Sequence, residues 1–112
     1  MELRAARRFV ADKLTGWGLA DLVDDATLIV SELTSNVLAH AGTPFTVTLL
    51  RVGDGVHISV TDESPSQARL THPDPSEPTG RGLRVVNALA TEWGQTPLDS
   101  GKRVWALLGT SE

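Results

Sequence analysis

The sequence predicts an α+β fold, a two-layer α/β sandwich in which helices cover one face of a mixed, mainly antiparallel sheet. Three observations predict it. Two amphipathic helical segments come first, two β-rich runs follow with only a glycine-rich turn between them, and a third helical segment leads into two further strands. We expect one domain over residues 1–112, because a chain of this length forms a single core.

The first two elements show the apolar periodicity of amphipathic helices. In the first, Gly16-Trp17-Gly18 ends a run whose residues at helical spacing are Leu3, Ala6, Phe9, Val10, Lys13 and Leu14. The second opens at Asp24-Asp25 and is expected to run for about four turns. Its apolar side is predicted to hold Ala26, Ile29, Val30, Leu33, Val37 and Leu38.

The middle of the chain predicts an antiparallel hairpin followed by a long loop. Residues 45–52 and 56–62 are rich in β-formers and flank Gly53-Asp54-Gly55. Val56, Ile58 and Val60 alternate with polar residues, which indicates one buried face. Residues 63–79 carry four prolines, and a loop of that length inside a domain is usually a functional lid or a linker. A helix over 83–90 and strands from 92 and over 104–108 complete the prediction.

Composition narrows the classes of function. A net charge of -4 offers no general attraction to nucleic acid or to an anionic membrane, so we expect neither as a partner. The absence of cysteine excludes disulfides, thiolate metal sites and thiol nucleophiles. No signal-peptide core or membrane-spanning run is visible, so a cytoplasmic protein is expected.

Glu32 and Asn36 lie four residues apart on the second predicted helix, and His40 continues the same stripe. An Asn oxygen can ligate a hard cation such as Mg²⁺, while a Glu carboxylate can orient or deprotonate an attacking hydroxyl or water. The spacing alone is weak evidence, because polar residues spaced in this way more often form a solvated helix face.

Two further features flank the predicted loop. Asp62 ends an apolar strand, where a carboxylate can accept a hydrogen bond from the exocyclic amine of adenine, although a turn-capping Asp is commoner. Gly80-Arg81-Gly82 precedes a helix, whose free N–H groups favour a phosphate, although an ordinary turn is the commoner explanation. Each group alone is thus more often structural, although all three are of kinds that suit ATP with Mg²⁺.

The remaining candidate residues carry less weight. Four basic side chains could contact phosphates: Arg81, Arg84, Lys102 and Arg103. Most of them are expected to be solvated, and Arg81 is the best candidate for a phosphate contact by its position. The tryptophans are expected to pack at the core or its rim rather than to form a stacking surface: Trp17, Trp93 and Trp105.

In their order along the chain, these motifs resemble the ATP-binding domain shared by gyrase, histidine kinases and bacterial anti-sigma-factor serine kinases, the GHKL or Bergerat fold. The likeness is closest to the small anti-sigma kinase-type regulators. Their pattern Ser-Glu-Leu-x-x-Asn-x-x-x-His matches residues 31–40, and they commonly end on Trp-Gly and Gly-Lys-x-Val-Trp, here Trp93-Gly94 and Gly101-Lys102-Arg103-Val104-Trp105. The resemblance covers nearly the whole chain.

The resemblance implies a role for each matched residue. Glu32 would be the general base, Asn36 the Mg²⁺ ligand and Asp62 the adenine acceptor. The phosphate-side turn would contain Gly80 and Gly82. The other residues implied to bind the nucleotide are His40, Arg81 and Leu83.

It also implies an activity and partners. Proteins of this type are ATP-dependent serine/threonine kinases that phosphorylate a STAS-type anti-anti-sigma protein and bind a sigma factor, and they are commonly homodimers. Two other functions stay open: a non-catalytic module that sequesters a partner with weakened nucleotide binding, and a detached histidine-kinase-like ATPase domain.

The sequence departs from the family pattern in two places. Asp62 is followed by Glu63-Ser64-Pro65-Ser66 where the family has glycines. Arg103 stands where a small hydroxyl residue often assists adenine binding. Both departures are on the adenine side of the predicted site.

Overall fold

The computed structural model describes residues 3–40, 43–63 and 78–109, with the backbone alone for residues 39, 40 and 78–83. Helices α1 (Leu3–Gly16) and α2 (Val23–His40) come first, with a short 3-10 turn at Ala20–Leu22 between them. The hairpin strands β1 (Phe45–Val52) and β2 (Gly55–Asp62) follow. Helix α3 (Pro78–Leu89) then leads to β3 (Glu92–Leu98) and β4 (Gly101–Leu108). The predicted order of elements is confirmed.

The four strands form one sheet in the order β1-β2-β4-β3. All three pairings between the described strands are antiparallel. The sequence predicted a mixed, mainly antiparallel sheet, and the described strands form a fully antiparallel one. Val52 pairs with Gly55, which leaves Gly53 and Asp54 as a two-residue hairpin loop. Gly53 has a φ of +58°, as the first central residue of a type II′ turn requires.

The core lies between the inner face of the sheet and α2. Val56, Ile58 and Val60 of β2 face inward with Val104 and Ala106 of β4, and all five are buried. Helix α2 packs on β2 and β4, while α1 and α3 pack against α2. The helices therefore cover one face of the sheet, and the expected α+β sandwich is confirmed.

Helix α2 buries most of its predicted stripe. Ala26, Ile29, Val30, Leu33 and Val37 are at most 3% exposed. Leu38 was expected on the same side but is 55% exposed, because one residue beyond Val37 turns about 100° away from the core. None of the helices in the described part of the chain is long and apolar enough to cross a membrane.

Contacts on the outer face of the sheet explain the glycine of the Trp93-Gly94 motif. Trp105 of β4 stacks on His57 of β2, with 5.4 Å between the ring centroids and an interplanar angle of 16°. Gly94 pairs with Trp105 on the other side, and a Cβ on Gly94 would lie 2.9 Å from Cζ2 of that indole. Gly94 thus leaves room for the ring. Trp105 was expected at the core or its rim, but strand alternation places it on the opposite face of the sheet.

This stacked pair predicts a pH dependence of stability. Partial burial lowers the pKa of His57 below its usual 6.5, and the positive charge of Arg103 lowers it further. The unfolded chain therefore binds a proton more readily than the folded one, so the free energy of unfolding should fall as the pH drops below about 6.5. Urea unfolding at several pH values checks this, and in His57→Gln the fall should be smaller. An identical pH profile for the two proteins would contradict it.

Helix α3 begins earlier than the sequence predicts. Its first residue is Pro78, so residues 78 and 79 of the predicted loop are helical and Gly80-Arg81-Gly82 lies within the first turns of the helix rather than in a turn before it. Proline suits the first helical position, where its fixed φ and missing N–H cost nothing. Residues 64–77 of the predicted lid lie outside the described part.

Candidate functional site

Helix α2 carries Glu32 and Asn36 on one stripe, as the spacing predicts. The stripe becomes more buried toward the end of the helix. Leu28, one turn before Glu32, is 44% exposed, Glu32 is half-buried and Asn36 is 3% exposed. His40 lies on the last turn of α2, and its side chain is outside the described part.

The side-chain amide of Asn36 is the most unusual group on this stripe. Its Nδ2 is buried and has no hydrogen-bond partner among the groups that the structure describes. A buried polar atom left in this way costs about 1–3 kcal/mol, and native proteins contain few of them. Such a donor is suited to an acceptor that arrives with a ligand.

Glu32 faces a different environment from Asn36. It borders an open groove of about 450 Å³ between α1 and α2, whose other lining residues are Arg7, Asp24, Thr27, Leu28 and Ser31. Nε of Arg7 donates to Oγ of Ser31 at 2.7 Å and so joins the two helices. Glu32 therefore borders an open groove, whereas Asn36 is buried.

At the end of β2, the structure places a lysine against the carboxylate expected to bind adenine. Nζ of Lys102 lies 2.5 Å from Oδ2 of Asp62, and the two side chains are 4% and 1% exposed. The residues are paired directly across β2 and β4. Opposite residues of an antiparallel pair share a face, so both lie on the inner face with Val104.

Lys102 is therefore an exception to the expectation that most of these basic residues are solvated. Strand alternation carried the signal: Lys102 has the parity of the buried residues Val104 and Ala106, whereas Arg103 has that of half-exposed Trp105. Arg103 is exposed on the outer face, and its Nε donates to Oγ1 of Thr61 at 3.5 Å. The residue of this strand that lies beside Asp62 is thus Lys102, not Arg103.

At the start of α3, over residues 78–83, the structure describes the backbone but not the side chains. Gly80, Arg81, Gly82 and Leu83 lie in its first half, and α3 packs against α2. The first N–H groups of a helix have no partner within the helix, and in α3 these belong to residues 79–81, because Pro78 has no N–H. This placement fits the prediction that backbone N–H groups at the start of this helix can bind an anion. The side chains of Arg81 and Leu83, which were also predicted to bind the nucleotide, lie outside the described part.

The residues present fit Mg²⁺ held together with a nucleotide. The amide oxygen of Asn36 is a ligand type that hard cations accept, and its unpartnered Nδ2 can donate to a phosphate oxygen. In the described part of the chain, no cluster of three His, Cys, Asp or Glu side chains could hold a metal ion. Nucleotide-bound Mg²⁺ needs only one or two protein ligands, since phosphates and water supply the rest.

Comparison with known proteins agrees with this arrangement. The family model of the histidine kinase-like ATPase domain matches residues 1–106, nearly the whole chain. A comparison with curated proteins finds no match. GHKL-type ATPase domains bind ATP, generally with Mg²⁺. Given this match and the α+β sandwich with its Glu32–Asn36 helix, the chain belongs to the histidine kinase-like ATPase domain family.

Proposed function

We propose that this chain is an ATP-dependent protein-serine/threonine kinase that acts as an anti-sigma factor. Its phosphoacceptor would be a STAS-type anti-anti-sigma protein, and its second partner a sigma factor. The observation that carries the nucleotide-binding part is the buried, unpartnered amide of Asn36, one helical turn from Glu32. A ligand oxygen there would remove the cost of the unpaired donor, which supports a phosphate-bearing ligand.

The chemistry assigned to this chain's residues is limited to binding and proton transfer. Asn36 and the N-terminus of α3 would hold the phosphates of ATP. Mg²⁺ bound with the nucleotide would neutralise charge on the transferred phosphoryl group. Glu32 would take the proton of a serine or threonine hydroxyl as that oxygen bonds to the γ-phosphorus. The bond from the γ-phosphorus to the bridging oxygen then breaks, and ADP leaves.

The groove beside Glu32 supports a protein as the phosphoacceptor. A general base must come within hydrogen-bond distance of the hydroxyl that it deprotonates. Because Glu32 is half-buried and borders an open groove, a hydroxyl on another protein can reach it without entering the core. The exposed Leu28 and the Arg7 side chain along the same groove offer one apolar and one charged contact to such a partner.

Replacing Asn36 tests the nucleotide part. In Asn36→Leu, binding of ATP in the presence of Mg²⁺ should weaken at least about 100-fold, because the metal ligand and the phosphate donor are lost together. The free protein should be at least as stable as the wild type, since an unpartnered buried amide is exchanged for an apolar side chain of similar size. Isothermal titration and urea unfolding measure the two effects.

The chain's other asparagine gives a matched control. Asn87 is exposed on α3, and its Oδ1 accepts a hydrogen bond from Nε1 of Trp93 at 3.0 Å. Asn87→Ala should bind ATP as the wild type does. Normal ATP affinity in Asn36→Leu would count against the proposed site.

One observation favours the second candidate function, a module that sequesters a partner with weakened nucleotide binding. The Asp62 carboxylate, the expected adenine acceptor, is paired with Lys102. The titration of the wild type separates the two functions. No heat at millimolar ATP with Mg²⁺ would favour sequestration, whereas binding that depends on Asn36 favours the kinase.

A further inference from the structure

The face of the sheet opposite the helices carries an apolar patch with a charge at either end. Strand register brings together six side chains, which we call the outer patch: Leu50, His57, Glu92, Arg103, Trp105 and Leu107. Leu50 and Leu107 flank His57 on either side, and Trp105 stacks on the same ring. In the part of the chain that the structure describes, the helices pack on the other face, so none of them covers the patch.

The outer patch has the composition of a protein interface. Leu50 is 58% exposed, and Val52, two residues further along β1 on the same face, is 41% exposed. Contiguous apolar surface with a polar rim marks protein–protein contacts. Tryptophan and arginine are enriched among the residues that contribute most to binding, and the patch contains Trp105 beside Arg103.

The two charges lie on opposite sides of Trp105. On β4, Arg103 comes two residues before Trp105 and Leu107 two residues after it, and Glu92 of β3 pairs with Leu107. Each charge is therefore displaced from Trp105 along the strands by about 7 Å, in opposite directions. A twofold axis that crosses the strands at the level of Trp105 brings Arg103 of one copy to the level of Glu92 of the other. The patch is thus complementary to a second copy of itself.

We propose that the outer patch is the interface of a symmetric homodimer, in which the two sheets pack face to face and Arg103 of each copy pairs with Glu92 of the other. Sheets packed in this way lie about 10 Å apart, a gap that one long side chain from each copy can bridge. The inference does not rest on the proposed function. It leaves the helices, and with them the groove beside Glu32, outside the contact.

The area of this face suits a dimer of moderate affinity. The strands hold seven or eight residues each. Four strands about 4.8 Å apart, with a rise of about 3.3 Å per residue, give a face of roughly 500 Å² per copy. Two copies then bury on the order of 1,000 Å², the lower limit for a specific interface. We therefore expect a dissociation constant of about 1–100 µM.

Sedimentation velocity from about 1 to about 500 µM protein brackets this affinity and tests the dimer. Leu50→Lys places a charge in the patch and should raise the dissociation constant at least about tenfold. Leu38→Lys is the matched control, since Leu38 is 55% exposed on α2, away from the sheet, and should leave the dimer unchanged. A protein that stays monomeric at every concentration, or equal weakening by the two substitutions, would overturn the inference.

An exchange of charges tests the symmetric pairing. Arg103→Glu and Glu92→Arg each place like charges opposite one another, so each alone should weaken the dimer at least about tenfold. The double variant restores opposite charges and should return to within about threefold of the wild type. A double variant as weak as the single ones would overturn the proposed arrangement.

Urea unfolding of each variant shows that it is folded. Both charged residues are exposed in the single chain, so their exchange should change its stability little. If a charge variant does not fold, the comparison of Leu50→Lys with Leu38→Lys decides the inference alone. The dimer and the nucleotide site also fail separately: a monomer that binds ATP through Asn36 would remove only the dimer, and a dimer that binds no ATP would remove only the proposed function.

Discussion

Gly101→Ala is expected to lower the free energy of unfolding by at least about 3 kcal/mol, because β4 passes too close to β2 for any side chain there. A Cβ at this position would lie 2.0 Å from the backbone oxygen of Asp62 and 3.0 Å from Cα of Glu63. Neither is the flexible end of a side chain that could move aside. Gly101 also has a φ of +157°, which residues with a Cβ rarely adopt.

The same substitution should damage the nucleotide site, since Gly101 immediately precedes Lys102 and approaches the strand end that carries Asp62. If β4 moves away to relieve the contact, the registered pair separates. Urea unfolding followed by tryptophan fluorescence measures the stability. Titration with ATP under conditions where the variant is folded measures the binding.

Gly16→Ala is the matched control. Gly16 is the last residue of α1, its φ is not positive, and a Cβ there would meet no atom within 4 Å. The same change of side chain should therefore be neutral or slightly stabilising. A loss below about 0.5 kcal/mol in Gly101→Ala would contradict the close approach of the two strands.

Much of this fold could be predicted from the sequence because its elements have local signals. The apolar stripe of α2 and the alternation of β2 follow from the helical and strand periods, which depend only on neighbouring residues. Gly53 and Asp54 indicate the hairpin loop in the same way. The stripe of Glu32 and Asn36 was predictable for this reason, as was its position on the second helix.

The start of α3 was not predictable because two glycines ordinarily oppose a helix. Gly80 and Gly82 have poor helix propensity, and the sequence predicted a turn through them. In the structure the helix extends back to Pro78, and α3 packs against α2. Tertiary packing of this kind can outweigh a propensity of about 1 kcal/mol per glycine.

The pairing of Asp62 with Lys102 depends on strand register, which a single sequence does not give. The two residues are 40 apart in the chain and become neighbours only when β4 inserts between β2 and β3. Alternation along β4 could have placed Lys102 on the buried face, but it could not name its partner. The sequence analysis placed Arg103 near the adenine end from the family pattern alone, and the structure has Arg103 exposed on the opposite face of the sheet from Lys102.

Glu32→Gln is expected to reduce phosphotransfer to a STAS-type acceptor by about 10²–10⁴-fold while the dissociation constant for ATP changes little. Glutamine keeps the shape of the side chain and can still hydrogen-bond to a hydroxyl, but it cannot take the proton. Transfer of labelled phosphate from ATP to a panel of STAS-type proteins measures the rate, and isothermal titration measures the affinity.

Asp25→Asn removes one negative charge from the same helix at an exposed position that does not line the groove, so it should keep both properties. This control separates loss of the base from a general change in the charge of α2.

If Glu32→Gln transferred phosphate at the wild-type rate, Glu32 would not be the base, and its position beside the groove would have to serve partner binding instead. If Glu32→Gln lost ATP affinity as Asn36→Leu is expected to do, the two residues would act together on the nucleotide. The separation of the two effects is therefore the decisive result, since it would assign nucleotide binding to buried Asn36 and proton transfer to Glu32, one turn away.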